Sequence, residues 1–187
     1  PRYLLWSAVY GGGAIAIALW LTFQHPSLIW VCFGGVIALF VNAVAVYNRR
    51  QKAVSTELLK FAAICLATLF AYGATADGLT VQAVGFWLLN TLFFSSAIFT
   101  IKLRKARTSS LHGALIFHGT ALLLIASLYG LGWLNLWTAL TFAIAFLKLA
   151  VIICLQDWYR HCRFEYIARF ETYFALSYIA LACQSVL

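Results

Sequence analysis

Four polar side chains fall inside long apolar stretches, and their types suit chemistry better than any others in this sequence. His118 lies in the fifth stretch, Lys148 in the sixth, Glu171 one turn into the seventh, and Asn90 near the middle of the fourth. Ionisable groups at membrane depth are costly, so each raises a functional question first. His118 and Lys148 both stand about fifteen positions from a turn near Gly132 and Trp133, so at a rise of about 1.5 Å per residue they reach nearly the same depth. In one reading the Lys148 cation binds an acidic headgroup or substrate and His118 acts as ligand or proton carrier. Glu171 is then the nearest acid to pair with Lys148, and Asn90 completes a polar cluster opening toward the cytoplasm. The same residues suit blander duties. Lys148 can snorkel to the inner headgroups, His118 can hydrogen-bond a neighbouring helix, and Asn90 can serve as glue between helices.

A buried neutral imidazole also suits the axial position of a haem or a chlorophyll-type pigment, which makes His118 the one candidate cofactor ligand. His112 precedes it by six residues, about 120° around a helix, so the two do not share a face. His25 and His161 sit in loops and receive no role. Cys32, Cys65, Cys154, Cys162 and Cys183 show neither a C-x-x-C pair nor zinc spacing, and read as small apolar residues. A Ser-His-Asp hydrolase, a Gly-rich phosphate loop and an H-E-x-x-H metal site are absent from the sequence, so no catalytic machinery is recognisable.

These residues need a scaffold, and composition says what kind. With 64% hydrophobic residues and 10% charged ones in 187 positions, and a mean hydropathy of +0.92, the chain lacks the polar surface of a soluble domain. It reads as a membrane protein. The formal charge of +8 does not call for nucleic acid, because topology accounts for it. Seven stretches suffice to span a bilayer, which needs about 20 apolar residues each: Leu4 to Thr22, Ser27 to Tyr47, Leu58 to Ala74, Leu79 to Ile101, Leu111 to Leu131, Leu134 to Leu155 and Ile167 to Val186.

The connections alternate in charge. Those after the second, fourth and sixth stretches carry Arg49, Arg50 and Lys52, then Lys102, Arg104, Lys105 and Arg107, then Arg160, Arg163 and Arg169, while the connections between them carry no Lys or Arg. Basic loops stay on the cytoplasmic side, so the N-terminus near Arg2 is expected inside and Leu187 outside. Trp20, Trp30, Trp133 and Trp137 then fall at the outer interface, and Trp6 and Trp158 at the inner one, where indoles settle. Basic loops also attract anionic lipid headgroups. Glu57 and Lys60 are expected to pair at the start of the third helix. Gly11, Gly12, Gly13, Gly34, Gly35, Ala67 and Ala71 are expected to make close helix contacts within the bundle. No convincing internal repeat is present, so residues 1–187 read as a single all-α, polytopic transmembrane helical bundle. The sequence contains no Met, which leads to the expectation that the native beginning, with room for another helix, is missing.

The fourth stretch reads Trp87-Leu-Leu-Asn90-Thr-Leu-Phe93-Phe94-Ser95-Ser96, followed by Lys102-Leu-Arg104. Together with the basic loop running into Glu57-Leu58 and the closing Arg169-Phe-Glu171, it resembles the YwiC-like family of bacterial multi-helix membrane proteins, from about Arg49 to the end. The resemblance implies a bacterial cytoplasmic (inner) membrane or a membrane derived from it, and carries no activity or site residues. A weaker likeness, through Asn90, is to the UbiA-type prenyltransferases, whose spaced aspartates hold magnesium diphosphate. Here the following positions are Phe94 and Ile98, and the aspartates are Asp77 and Asp157 on opposite sides. The carboxylate shell that magnesium needs is therefore missing.

Two functional classes follow. The first is an accessory subunit of a larger membrane complex, packing against partner helices, lipid or pigment; aromatic residues make up 17% of the chain, and such rings fill space against rings and tails. The alternative is a small-solute or lipid transporter, or another lipid-handling protein, built on His118, Lys148, Glu171 and Asn90. Both rest on the threading. Accessibility labelling of cysteines placed at Arg50 and Arg104 should find them on the same face of the membrane, and labelling from opposite faces would overturn the topology.

Overall fold

The computed structural model describes residues 2–76, 78–104 and 111–186. Lys105 and Arg107 of the second basic connection, Asp77 and Leu187 lie outside the described residues. The described chain is helical throughout, without strands: α1 (Arg2–Gln24), α2 (Ile29–Tyr47), α3 (Val54–Thr75), α4 (Val81–Lys102), α5 (Leu111–Gly130), α6 (Leu136–Leu140), α7 (Ala143–Cys154), α8 (Gln156–His161) and α9 (Phe164–Val186), with a 3₁₀ turn at Pro26–Leu28 leading into α2. Lipid cannot hydrogen-bond a backbone, so a chain this apolar must satisfy its amides within helices.

Six segments are long and apolar enough to cross a membrane: Leu5–Gln24, Pro26–Tyr47, Val54–Thr75, Val81–Lys102, Leu111–Gly130 and Leu136–Cys154. The expected seventh, α9, falls short on composition because Glu165, Arg169 and Glu171 occupy its first turns. Its contacts nevertheless run the height of the bundle. Ile167 packs with Leu103, Ala114 and Tyr159 beside the basic connections, and the carbonyl of Ser185 accepts from Asn135 Nδ2 at 3.0 Å at the opposite end. At 23 residues, about 34 Å at helical rise, α9 is a full-length member of the bundle.

Turn chemistry sets where the helices stop. At the end of α2, Arg50 N donates to Ala45 O at 2.8 Å and Arg49 N to Val46 O at 3.0 Å, the bond pattern of a Schellman motif with Arg49 in the left-handed position at φ 55°. The same pattern closes α5, with Trp133 N on Leu128 O at 2.9 Å and Gly132 at φ 74°. Thr80 caps α4 through Ala83 N at 3.2 Å, and Asn135 caps α6 through Thr138 N at 2.7 Å. Between α6 and α7 the sixth span tightens into i to i+3 bonds at Thr141 and Phe142. There Thr141 Oγ1 donates to Thr138 O at 2.7 Å, a side-chain bond that bends helices.

The tightest packing lies at positions other than the expected small residues. Nothing comes within 4 Å of a Cβ built on Gly11, Gly12, Gly13 or Gly35, and Gly34 meets only Leu66 Cδ1 at 3.8 Å. Ala67 and Ala71 are exposed. The glycines of α1 and α2 face outward because those helices stand at the rim of the bundle, α1 meeting the rest chiefly through the 3₁₀ turn, and Ala67 and Ala71 lie on a face of α3 turned away from its neighbours. The close approach is instead at Gly85, where a Cβ would lie 2.7 Å from Trp133 O, and at Gly73, where it would lie 2.8 Å from Leu28 Cδ2. Gly85 thereby lets the turn before α6 dock on α4. The core itself joins Leu89 and Phe93 of α4 to Ala121 and Ile125 of α5, Phe142 and Ala145, and Tyr178 of α9. Outside it, side chains such as Trp20, Phe40, Ile116 and Leu123 are exposed, an apolar surface fit for lipid tails rather than water. Gly85→Val should lower thermal stability in detergent by about 1–3 kcal/mol through overpacking; Gly12→Ala, inside α1 with open space around it, should hold or raise the melting temperature, since Ala favours the helix by up to about 1 kcal/mol.

Candidate functional site

Lys148 points inward from α7 and is 2% exposed. Its Nζ lies 3.0 Å from Glu171 Oε2 of α9. The other carboxylate oxygen, Oε1, accepts from Thr100 Oγ1 of α4 at 3.1 Å. Nζ also stands 5.5 Å from the centre of the Phe93 ring, within cation–π range. Three helices thus converge on one buried cation. The pair the sequence raised is formed, and Lys148 does not snorkel.

The pair borders a recess of about 220 Å³ whose wall includes Phe61, Phe93, Phe94 and Ala97 with Lys148 and Glu171. A charge pair removed from water is costly to keep, and excellent geometry with further hydrogen bonds is what repays the desolvation. Here Thr100 supplies the further bond. Tyr159 of α8, at 0% exposure, closes the same cluster from the basic end, its hydroxyl without a partner of good hydrogen-bond geometry. Burial, and then the Glu171 carboxylate, push the Tyr159 phenol up from its ordinary value. It stays protonated at neutral pH.

His118 is 1% exposed on α5 and shares this level. Its ring stands 5.7 Å from the Phe146 ring, edge to face, one half-turn from Lys148 on α7. Nδ1 lies 2.8 Å from Ala114 O on its own helix, not on a neighbouring one as one reading had it. A carbonyl only accepts, so Nδ1 carries a proton, and in the neutral ring Nε2 is the acceptor. That Nε2 is buried and has no hydrogen-bond partner. Rings of Phe117 and Phe146 flank the imidazole at 5.6 and 5.7 Å, so a macrocycle could reach Nε2 only if that packing opened.

Asn90 stands apart from the ion pair. Its Nδ2 donates to Phe86 O at 3.0 Å, and its Oδ1 accepts from Tyr178 OH at 2.9 Å. Tyr178, buried, stacks on Phe93 with ring centres 3.7 Å apart. Asn90 therefore ties α4 to α9, the glue role, while Phe93 lies between that tie and the Lys148 cation. Glu57, expected with Lys60, instead meets Lys102 at 3.3 Å; α3 and α4 pack side by side, which brings the end of α4 to the start of α3.

Thr100, Tyr159, Phe93 and Tyr178 were missed by inspection of ionisable residues alone. A signal was present: Phe93, Ala97 and Thr100 repeat at i, i+4, i+7 on α4, and Ile167, Glu171, Phe174, Tyr178, Ala182 and Ser185 repeat at the same spacing on α9, the pattern of two facing helices.

Residues 1–72 match the model of the family described as YwiC-like protein, the family the sequence motifs resemble. The match covers α1, α2 and most of α3, and meets the stretch from Arg49 onward only over residues 49–72. His118, Lys148, Glu171 and Asn90 all lie beyond it. No curated protein and no solved structure matches the chain.

If Glu171 is what keeps the Lys148 charge inside, Lys148→Met alone should cost about 1–3 kcal/mol by stranding a partly buried carboxylate. The double variant Lys148→Met with Glu171→Met should recover most of it. Equal melting temperatures for wild type and Lys148→Met in detergent would show that the pair contributes nothing.

Proposed function

We propose that this membrane-like helical chain, similar to YwiC-like proteins over its first 72 residues, handles a small acidic solute or lipid headgroup through the Lys148–Glu171 pair. The observation that carries the reading is the placement of that pair on the wall of a recess. A structural lysine at this depth gains nothing from standing beside open space. A binding lysine requires it.

The chemistry is an exchange of partners. An incoming carboxylate or phosphate oxygen competes with Glu171 Oε2 for Lys148 Nζ, so the cation passes from one anion to another without being left bare. Thr100 continues to hold Glu171 Oε1. Glu171, once released, takes the proton that the solute brings when it enters as its neutral acid, so the exchange leaves the charge of the site unchanged. The unpartnered Nε2 of His118 is an acceptor at the same level and suits the proton-carrying role. Such a device fits a transporter or a lipid-handling protein, with basic connections facing the cytoplasm of a bacterial inner membrane or a membrane derived from it.

An accessory-subunit role has one observation of its own. The residues of α1 from Leu5 to Gln24 are 0% buried over their most apolar window, and Gly11, Gly12 and Gly13 leave open space for another helix. The two readings separate by experiment. Under the solute reading the protein purifies alone, and inorganic phosphate or short-chain carboxylates raise its melting temperature in wild type. That rise should vanish in Lys148→Met with Glu171→Met. A rise that persists in the double variant would remove the pair from the function, and retained partner subunits or a bound pigment after gentle purification would favour the accessory role.

A further inference from the structure

The recess at the ion pair is one of a series that follows α4 from end to end. Near the neutral connections a space of about 290 Å³ is lined by Tyr72, Gln82 and Phe86. The next, about 440 Å³, shares Tyr72 and Phe86 and adds Asn90 and Phe94. Phe94 passes to the 220 Å³ recess of Lys148 and Glu171. That one shares Phe61 and Ala97 with a space of about 380 Å³ among Lys60, Ile64, Ile101 and Lys102. α4 is the floor, with α3 on one side and α9 on the other along the middle two.

The geometry points to the basic half of this track as a binding groove for one chain of an anionic membrane lipid, its headgroup on Lys60 and its tail against Phe61, Ile64, Ala97 and Ile101. Charge selects the headgroup. Glu57 is engaged by Lys102, and among the described residues no carboxylate pairs with Lys60, so the mouth of the groove holds a spare cation beside an otherwise apolar wall. Width selects the tail. One turn of a helix, about 5.4 Å long and about 10–12 Å across, fills about 400–600 Å³, whereas these spaces, which share Phe61 and Ala97 as walls, hold 380 and 220 Å³. A flexible single chain fits such spaces; a partner helix does not. From Ile101 to Phe93 the basic half of the track is about 12 Å at helical rise, so a tail anchored at Lys60 is covered over that length and ends beside the ion-pair recess. The groove goes beyond the function proposed above: its headgroup sits on Lys60 rather than on Lys148, and it stands whether or not the ion pair takes a solute.

The test uses the full chain in mild detergent with added phosphatidylglycerol or phosphatidylcholine micelles, and native mass spectrometry to count retained lipid. Wild type should prefer phosphatidylglycerol by about fivefold, the equivalent of about 1 kcal/mol for the one lysine engaged. Lys60→Gln should reduce the preference while both lipids are still retained, and Lys60→Arg should keep it. Ala97→Phe should expel both lipids. Lys148→Met with Glu171→Met should leave the preference intact, so that loss of the solute response and loss of lipid selectivity report on different claims. Equal retention of the two lipids by wild type, selectivity unchanged in Lys60→Gln, or a co-purifying helical polypeptide in place of lipid that Ala97→Phe releases, would each overturn the groove.

Discussion

A lysine ammonium keeps its charge inside a helical bundle only while a carboxylate and further polar groups stand in for water. That requirement at Lys148 constrains three helices at once. α7 must turn Lys148 inward, α9 must bring Glu171 to the same depth, and α4 must present Thr100 to the second carboxylate oxygen. It also explains why α9 looks too polar for a span. The charges that lower its hydropathy cluster at its basic end, and the deepest of them, Glu171, is spent on a buried partner rather than offered to lipid.

The neutral end obeys the complementary rule, that backbone groups near lipid be satisfied locally. Asn135 caps α6 with one atom and holds Ser185 O with another, so the start of the sixth span and the end of α9 are fixed by one side chain. Gly85 admits Trp133 O against α4. These bonds hold one end of α6, while Lys148 and Glu171 hold α7 at the other. The i to i+3 tightening at Thr141 and Phe142 falls between the two anchors. Its position is what two fixed ends and one continuous segment would require.

How much of this was legible in the sequence depends on the range of the interaction. Many span edges were legible because hydropathy is local: those expected at Tyr47, Ala74, Ile101 and Leu111 fall within a residue of those observed, whereas the starts expected at Leu58 and Ile167 lie inside helices that begin at Val54 and Phe164, their polar first turns hidden from hydropathy. The polar residues at depth were legible because they are rare. Partners across helices were not, since they depend on rotation about each axis: Glu57 took Lys102 rather than the nearer Lys60, and Asn90 took Tyr178 from 88 positions away. Small residues misled for the same reason. Gly11, Gly12 and Gly13 advertise contact, yet contact went to single glycines, Gly73 and Gly85, beside turns.

Asn90 and Lys148 show how a polar group in the bundle can be read. Asn90 has both ends of its amide engaged and Tyr178 stacked on Phe93, so although it lines a space of about 440 Å³ it offers a ligand no group that is free to change partners. Lys148 is held by one carboxylate beside a recess, with an unpartnered imidazole nitrogen on the neighbouring helix. The first arrangement is closed, and its worth is rigidity. The second has one exchangeable bond and a place for the exchanging group. Phe93 lies between them, stacked on Tyr178 and facing the Lys148 cation. The rigid half therefore holds the ring over which the exchangeable half works, and any motion at Lys148 must occur against a wall that Asn90 keeps still.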